Sequence, residues 1–490
     1  MKRFFDGLLL FSLALLITGC DLSDPFNNNN NDSGKDRIIC PVVFTAEEET
    51  VSDASCDFAF RLFSAVDSIM PKDANYVVSP YSAQVALAMA MNGAADSTFM
   101  QMRDVLGYKG MDIDDINSYN KKLIEGLDFV AEDVRVKLAN SLWLNKELSS
   151  EIKPEFSLVM IENYNAKAEV LDFSSTGALK YVNRWCSSQT NSLIDNAVNY
   201  LDPNGMLMLI NAVYFKAEWQ KPFEKKNNFK DYFHSDVSGK QEVEFMKSVF
   251  HAGYYENEKF EITYKDYGKT KKYSFFVVLP REDVTTEECL AELDADVWDK
   301  VGERFAEVTF TIPKFKVENG SSVIPALSLM GLSEPFTGIA DFSNLVSGTP
   351  VCITDITQGN VFQINEKGTE AASVTKVEIG FTSPEGEPVD FTVNRPFLFF
   401  VKEKATNTIL YTGKISSIEQ SMVYITTSRR ITFGLLLYIW IILRVHECAN
   451  LLALHNLHEV AYHIHVEYVD GEVVLLAHCG GCDVHNLETT

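Results

Sequence analysis

One segment of the chain is patterned both as a buried strand and as part of an exposed loop. Between residues 369 and 379 the side chains alternate, and every charged residue falls on the same face of an extended chain. The segment continues directly into a stretch rich in Gly, Pro and Glu, which is typical of an exposed loop. The opposite, uncharged face, which a sheet interior could accept, consists of Thr369, Ala371, Ser373, Thr375, Val377 and Ile379. The pattern therefore predicts a segment that can exist in either state.

The sequence from residue 56 to residue 418 predicts one large α+β domain. The 490-residue chain is 46% hydrophobic, which is enough to bury a large core. Continuous apolar runs at Met206–Phe215 and Tyr273–Leu279 favour strands buried on both faces. Phe397–Val401 and Thr408–Tyr411 predict a hairpin, because a charged turn containing Asn separates them. The predicted strands and helices do not alternate regularly along the chain, which argues against Rossmann and barrel folds.

Two segments before residue 100 predict helices. Four apolar residues recur at helical spacing and favour an amphipathic helix; they are Phe58, Leu62, Val66 and Ile69. The Ala- and Met-rich stretch Ala83–Ala95 predicts a buried helix, with Ser82 near its N-terminal cap.

The sequence shows little sign of catalytic chemistry. It has no Gly-x-Ser-x-Gly elbow, no Walker loop and no Gly-x-Gly-x-x-Gly fingerprint. His458 and His463 are five residues apart, whereas a spacing of four places two ligands on one helical face. Neither His234 nor His251, the two histidines of the body, lies in a catalytic motif. We therefore expect neither enzymatic activity nor a cofactor.

The charge balance argues against polyanionic partners. The chain carries 43 Lys and Arg residues against 68 Asp and Glu residues, for a net charge of −25. Nucleic-acid and heparin-like binding depend on a basic surface that releases counterions, so we expect neither partner.

The N-terminus looks like a bacterial lipoprotein signal. Basic residues precede the apolar run Leu8–Ile17, which is too short to span a bilayer, and the small pair before Cys20 looks like a lipobox. The expected division is a signal peptide at residues 1–19, then a lipidated Cys20 and a polar, Asn-rich tether at residues 20–55. This predicts anchoring to a membrane in the bacterial cell envelope, facing the periplasm or the exterior.

The remaining cysteines and the C-terminal residues 419–490 give weaker signals. Export allows disulfides, and Cys40 and Cys56 could form one, although spacing alone does not establish it. Seven of the nine histidines lie in the tail, together with Cys479 and Cys482. A metal site is one interpretation, but a single Cys-x-x-Cys without a second pair is weak evidence. The favoured interpretation is an irregular appendage, from an altered reading frame or a missed stop.

Several motifs, in the same order as in known sequences, resemble the serpin family between about Phe58 and Ile418. The strongest similarities are the segment 366–372 before the predicted loop and the segment 391–401 after it. Other matches are Asn75–Gly93, Leu138–Trp143, Asn211–Trp219, Ile312–Phe315, Met330–Leu332 and Ala340–Ser343. The resemblance implies a monomeric domain with three β-sheets, about eight to nine helices and an exposed reactive-centre loop at about residues 366–390.

The resemblance also implies a mechanism, which is suicide inhibition of proteases. A protease cuts the loop, and the freed hinge then inserts into the central sheet while the acyl-enzyme is still attached. The hinge residues implied are Glu366, Gly368, Thr369, Glu370, Ala371, Ala372, Ser373 and Thr375. Because the inward positions are small and uncharged, the hinge is of the inhibitory type. The alternative is a non-inhibitory envelope lipoprotein that uses the serpin body for binding, with a metal site in its tail.

The family's usual spacing places the reactive bond between Thr382 and Ser383. Thr382 suits elastase-like serine proteases, and Phe381 suits papain-like cysteine proteases or, if it precedes the cut, chymotrypsin-like enzymes. Trypsin-like targets are disfavoured because the nearest basic residue is Lys376.

Five further residues match family positions that control opening of the sheet. They are Ser79, Ser82, Asn211, Trp219 and Gln358. Many serpins carry His where this chain has Gln358, but a Gln amide can still donate and accept hydrogen bonds.

Overall fold

A computed structural model of the chain describes residues 42–127, 133–148, 150–190, 198, 200–203, 205, 207–236, 238–369, 387–418, 462–469 and 472–479. The chain divides into two compact units, residues 1–423 and residues 424–490. The signal peptide, Cys20 and most of the tether therefore lie outside the described residues.

The described part of the first unit contains nine α-helices. They are α1 (Ala46–Ile69), α2 (Pro80–Met91), α3 (Asp96–Leu106), α4 (Ile113–Leu127), α5 (Pro154–Tyr164), α6 (Thr176–Gln189), α7 (Thr286–Leu290), α8 (Ala295–Lys300) and α9 (Ile324–Leu329). None of these described helices is long and apolar enough to cross a membrane.

Helix α1 begins well before Cys56, where the sequence placed the start of the body. Thr45 and Glu48 form a capping box, in which each side chain accepts a hydrogen bond from the other residue's backbone N–H. Phe58, Leu62 and Val66 are buried as predicted, but Ile69 in the last turn is 44% exposed. Cys56 is free and buried in α1, and Cys40 lies outside the described residues.

Helix α2 is buried throughout, in agreement with the sequence, but its ends differ from the prediction. Ser79 is the N-cap, and its hydroxyl accepts the backbone N–H of Ser82, which therefore lies near the cap as expected. The predicted stretch Ala83–Ala95 began and ended too late, since the helix is Pro80–Met91. Pro80 follows the cap at the first helical position, where its missing N–H costs no hydrogen bond.

The same unit contains fifteen described strands. They are β1 (Tyr76–Val78), β2 (Val134–Asn145), β3 (Lys167–Leu171), β4 (Leu207–Glu218), β5 (Phe229–Ser235), β6 (Gly239–Glu256), β7 (Phe260–Tyr267), β8 (Tyr273–Pro280), β9 (Phe305–Pro313), β10 (Phe315–Ser322), β11 (Ile353–Ile364), β12 (Gly368–Thr369), β13 (Val389–Thr392), β14 (Phe397–Glu403) and β15 (Ile409–Ile415).

These strands form a six-stranded sheet and a nine-stranded sheet. The six-stranded sheet has the order β10-β11-β12-β4-β2-β3. The other has the order β1-β15-β14-β8-β7-β6-β9-β13, with β5 paired to β6. Strand β6 pairs with β9 over Phe245–Gly253 and with β7 over Tyr254–Glu256, so it joins two regions into one sheet, whereas the resemblance implied three sheets in the domain. The architecture is α+β, as predicted.

The core lies around the middle of the nine-stranded sheet. Every residue of β8, β14 and β15 is buried. Strands β14 and β15 form the predicted antiparallel hairpin, and β14 also pairs with β8 on its other side. The chain that follows the predicted loop is therefore anchored in the most buried part of the molecule.

The described part of the second unit is a two-stranded antiparallel hairpin. Its strands are β16 (Tyr462–Val469) and β17 (Glu472–Cys479), with Tyr462 opposite Cys479. Cys479 therefore ends β17, and Cys482 lies outside the described residues.

Candidate functional site: a short strand between two parted strands

The short strand β12 separates two strands that are paired directly elsewhere. Parallel pairing of β4 with β11 begins at Leu207 and Ile353 and reaches Ile210 and Thr357. Farther along, Thr369 is opposite Ala217 of β4 and also opposite Ile364 of β11. The two strands thus part beyond Ile210 and Thr357, and the start of the predicted hinge already lies between them. We call the point where they part the fork.

Gly368 allows β12 to lie close to β4. A Cβ atom at this position would be 2.0 Å from the carbonyl oxygen of Ala217 and 2.8 Å from Cα of Glu218. Contacts this short cannot be accommodated by moving a flexible side chain, because both atoms belong to the backbone. The φ of +155° is also rarely adopted by residues with a side chain. Glycine is therefore required here for close approach.

Thr369 is the last residue described before the predicted reactive bond, and it is buried. Its hydroxyl lies 2.6 Å from the hydroxyl of Tyr267 on β7. Tyr267 stacks on Trp219, with ring centroids 4.4 Å apart. Thr369 is only 3% exposed, so a small uncharged side chain is needed at this inward position.

The residues just before β12 are held by the segment Trp219–Phe223, which we call the clamp. The backbone N–H of Trp219 donates to the carbonyl of Lys367, and its indole N–H donates to the carbonyl of Asn365, each at 2.8 Å. The backbone N–H of Phe223 donates to the carbonyl of Glu366 at 2.8 Å. The base of the predicted loop is therefore fixed through its own backbone.

The carboxylate of Glu366 adds an ion pair to this base. It lies 2.7 Å from the ammonium of Lys314 and accepts a 2.7 Å hydrogen bond from the side-chain amide of Asn228. Burial alone would raise the pKa of Glu366, but these hydrogen bonds outweigh it and hold the pKa below its ordinary value. Lys314 also pairs with Glu244 at 2.6 Å, so its pKa is raised despite burial.

At the fork, the start of α2 is bonded to both parting strands. Ser82 donates its hydroxyl hydrogen to the side-chain carbonyl of Asn211 on β4. The side-chain carbonyl of Gln358 on β11 accepts the backbone N–H of Ser79 at 3.0 Å, and its amide donates to the carbonyl of Ser79 at 2.8 Å. Asn211 also donates to Asn140 on β2. All five residues are buried, so separating the strands at this point would leave polar groups unpaired.

The opposite end of the predicted loop is attached to the other sheet. Strand β13 begins at Val389 and pairs in parallel with β9, where Val389 is opposite Val308. The loop therefore connects β12 of the six-stranded sheet with β13 of the nine-stranded sheet.

The structure thus brings the predicted residues together in two groups. Glu366, Gly368 and Thr369 lie with Trp219 at the clamp, and Ser79, Ser82, Asn211 and Gln358 lie at the fork. The other predicted hinge and reactive-bond residues lie outside the described residues; they are Glu370, Ala371, Ala372, Ser373, Thr375, Phe381, Thr382 and Ser383.

Sequence reasoning missed four residues that complete these groups. Lys314 and Asn228 bind Glu366, Tyr267 contacts Thr369, and Asn140 binds Asn211. Asn228 is 138 residues from Glu366 in the sequence, and Tyr267 is 102 residues from Thr369. No local spacing signals such pairs. Within the described residues, no group of three or more His, Cys, Asp or Glu side chains is placed to hold a metal ion.

Comparison with known proteins establishes the family. The profile described as "Serpin (serine protease inhibitor)" matches residues 53–418. The chain belongs to the serpin family. Leukocyte elastase inhibitor of Bos taurus is 30% identical over 386 residues, which cover 75% of this chain and 100% of that protein. Iripin-3 of Ixodes ricinus is 28% identical over 386 residues, covering 76% of this chain and 97% of that protein.

The fold agrees with solved serpin structures. The crystal structure of a thermophilic serpin, tengpin, in the native state superposes with a TM-score of 0.69 at 30% identity. It covers 77% of this chain and 97% of tengpin. Since relatives of this serpin include a named protease inhibitor, the family supports protease inhibition as the general activity.

Proposed function

We propose that this serpin is a suicide-substrate inhibitor of proteases, and the position of β12 between β4 and β11 is the observation that carries the proposal. The protease serine adds to the carbonyl of Thr382, and the amine of Ser383 leaves with a proton from the protease histidine. Thr382 is then held as an ester. The freed hinge extends β12 and pulls the protease away from its catalytic geometry, so that water cannot complete hydrolysis.

The register of β12 supports this extension. Antiparallel pairing advances one residue on each strand, and residues directly opposite each other share a face. Starting from Thr369 opposite Ala217 and Ile364, the inward hinge residues would reach the following partners: Ala371 between Phe215 and Phe362, Ser373 between Val213 and Asn360, and Thr375 between Asn211 and Gln358. The small inward residues therefore fill the parted region as far as the fork.

Inserting residues beyond Thr375 costs more free energy than inserting the residues up to Thr375. It must separate the direct pairs between β4 and β11 that begin at Ile210 and Thr357. It must also disturb the bonds from α2 to Asn211 and Gln358. Each hydrogen bond gained by the inserted strand contributes roughly 0.5–1.5 kcal/mol net, and the new strand gains bonds on both edges. The full insertion therefore stabilises the cleaved molecule.

The proposed targets are elastase-like serine proteases. A reactive bond between Thr382 and Ser383 presents a small side chain to the specificity pocket, and leukocyte elastase inhibitor is among the relatives. Papain-like enzymes that read Phe381, and chymotrypsin-like enzymes that cut after it, are the second choice. Trypsin-like enzymes are expected to fail.

We also propose that the inhibitor is a monomer attached to a bacterial envelope membrane through a lipid on Cys20. The support is the sequence of residues 1–20, followed by a polar tether that ends where α1 begins. Labelled palmitate should be incorporated into the expressed chain and should be absent from the Cys20→Ala variant. Release of the unmodified wild-type chain into the soluble fraction would contradict the anchor.

The experiment that tests inhibition mixes the protein with elastase, chymotrypsin, a papain-like protease and trypsin. We expect a conjugate with elastase that survives boiling in detergent. Thr369→Arg places a charge at a buried position and should convert the protein into a substrate, whereas the matched control Thr369→Val keeps the side chain small and should still trap elastase. Clean cleavage of the wild type, with no conjugate and no rise in melting temperature, would instead favour the non-inhibitory alternative.

A further inference from the structure

A lysine is buried next to the clamp, with aromatic rings around its ammonium group. Lys265 of β7 is 2% exposed. Its nitrogen lies 4.1 Å from the ring centroid of Phe250, 4.7 Å from that of Phe223 and 5.9 Å from that of Trp219. We call these three rings the cage. Their faces attract a cation, but they solvate it less well than water does.

The charged groups around the cage offset little of the free-energy cost of burying the ammonium of Lys265. The pKa of Lys265 is lowered to about 7, mainly by burial and also by the nearby ammonium of Lys221, while Asp266 opposes the change. The carboxylate of Asp266 is already bound by Lys404 at 2.5 Å and by Ser274 at 2.7 Å. Lys221 donates to the carbonyl of Val249 at 2.8 Å.

The other elements packed around Lys265 present apolar side chains to it. Strand β8 places Phe275 directly opposite Lys265. On β6, the neighbours of Phe250 in the sequence are Val249 and His251, which lie on the opposite face of the strand. The ion pair of Glu366 with Lys314 lies where the clamp holds the base of the reactive loop.

Two walls of the cage belong to the clamp. The backbone of Trp219 binds Lys367, and the backbone of Phe223 binds Glu366. The rings of these same two residues face Lys265. Trp219 and Phe223 therefore each contact Lys265 through the ring and the base of the reactive loop through the backbone. A change in how the rings pack on Lys265 can alter these two backbone hydrogen bonds directly.

We propose that Lys265 is a protonation switch that controls how firmly the clamp holds the base of the reactive loop. The neutral amine packs among the rings and keeps the clamp closed. The cation weakens the cage and favours a locally opened clamp, in which its ammonium reaches water. The biological meaning of the switch rests on the proposed inhibitory function, because loosening the base would ease entry of the hinge into the sheet.

The sign of the pH dependence follows from linkage. In the opened clamp Lys265 has its ordinary pKa of 10.5, whereas in the closed clamp its pKa is about 7. Between these values opening takes up a proton, so it becomes less favourable as the pH rises, by up to about tenfold per pH unit. Well below pH 7 both states are charged, and the dependence disappears.

Hydrogen exchange of the segment 219–223 in the full-length protein tests the switch directly, because the amides of Trp219 and Phe223 bond to the loop base. After correction for intrinsic exchange rates, their protection should rise roughly twentyfold between pH 6.5 and pH 8.5. In Lys265→Met, an apolar replacement of similar length, protection should not change with pH. The control Lys316→Met removes a lysine that pairs with Glu318 at the surface and should keep the slope. An equal slope in Lys265→Met, or a flat profile in the wild type, would overturn the proposal.

A direct titration provides a second measurement. The 13Cε resonance of Lys265, assigned by its absence in Lys265→Met, should titrate near pH 7, and a midpoint above pH 10 would contradict the switch. Trapping of elastase at pH 6.5 and pH 8.5 separates this proposal from the general one. If no conjugate forms while exchange follows the expected profile, inhibition fails and the switch stands. If conjugates form while exchange shows no slope, only the switch fails.

Discussion

The hydroxyl groups of Thr369 and Tyr267 lie 2.6 Å apart, although one residue belongs to β12 and the other to β7. The start of the predicted hinge is therefore bonded to the core of the nine-stranded sheet in the intact chain. Burial raises the pKa of Tyr267 far above its ordinary value, so the phenol keeps its proton and can act as donor at any physiological pH. In the proposed mechanism, insertion would therefore start at a residue that is bonded to a different sheet from the one it enters.

Removing the phenol tests this contact. Tyr267→Phe keeps the stacking on Trp219 but leaves the Thr369 hydroxyl without its partner. Because this hydroxyl is buried, we expect the free energy of unfolding to fall by about 1–3 kcal/mol in guanidinium titrations. Tyr232→Phe is the control, because Tyr232 is 50% exposed and should change stability little. Equal stability of Tyr267→Phe and wild type would show that the contact contributes nothing.

Gly368→Ala should displace β12 from β4. The added Cβ would lie 2.0 Å from a backbone oxygen, so the strands must separate, and we expect destabilisation of about 1–3 kcal/mol. The control Gly338→Ala adds the same group where nothing lies within 4 Å and where φ is not in the left-handed region. Thermal melting of both variants measures the difference, and a Gly368→Ala variant as stable as Gly338→Ala would contradict the close approach.

Gln358→Leu should weaken the fork. It removes both bonds to the backbone of Ser79. The carbonyl of Ser79 still accepts the backbone N–H of Ala83, but the buried N–H of Ser79 loses its partner, which costs about 1–3 kcal/mol. Gln363→Leu is the control on the same strand, since Gln363 is only partly buried. Gln358→His should recover part of the loss, because a neutral imidazole has one donor and one acceptor. Unfolding midpoints that do not distinguish Gln358→Leu from Gln363→Leu would argue against this role.

Glu366 should stabilise the folded protein in a pH-dependent way. Because its pKa in the folded state is below the ordinary 4.5, its contribution is complete above pH 4.5 and is lost as the pH falls through the folded-state value. Glu366→Gln should therefore be less stable than wild type at pH 7, and the difference should shrink between pH 5 and pH 3. We expect the control Glu318→Gln to have little effect at any pH, because Glu318 pairs with Lys316 at the surface. A constant difference between Glu366→Gln and wild type across this range would contradict the ion pair.

Local signals in the sequence predicted the elements well. The hairpin of β14 and β15 and the buried strands β4 and β8 follow from apolar runs and a polar turn. The start of α2 was placed at Ala83, which is three residues too late, although Pro80 at the first helical position is a local signal for the start. The start of α1 was placed too late because the Asn-rich stretch outweighed the Thr45–Glu48 capping box.

The partners of the site residues could not be predicted in the same way. Alternation identified Thr369 as an inward position, because side-chain direction depends only on the local backbone. Its contact with Tyr267 depends on how two sheets pack, and the ion pair of Glu366 with Lys314 depends on which strands meet at the clamp. Lys265 is the clearest residue whose environment the sequence could not predict. An isolated lysine in a strand predicts a solvated side chain, and only the packing of the rings shows that it is buried.

The complete burial of β14 and β15 determines what happens to the two pieces of a cleaved chain. Strand β14 pairs with β8 on one side and β15 on the other, and β14 and β15 both lie on the C-terminal side of the proposed reactive bond. A protease can divide the polypeptide without dissociating it, because the shorter fragment remains noncovalently bound in the hydrophobic interior. After cleavage by a protease that is not trapped, native size measurements will therefore detect the same particle as before, whereas denaturing electrophoresis will resolve two bands.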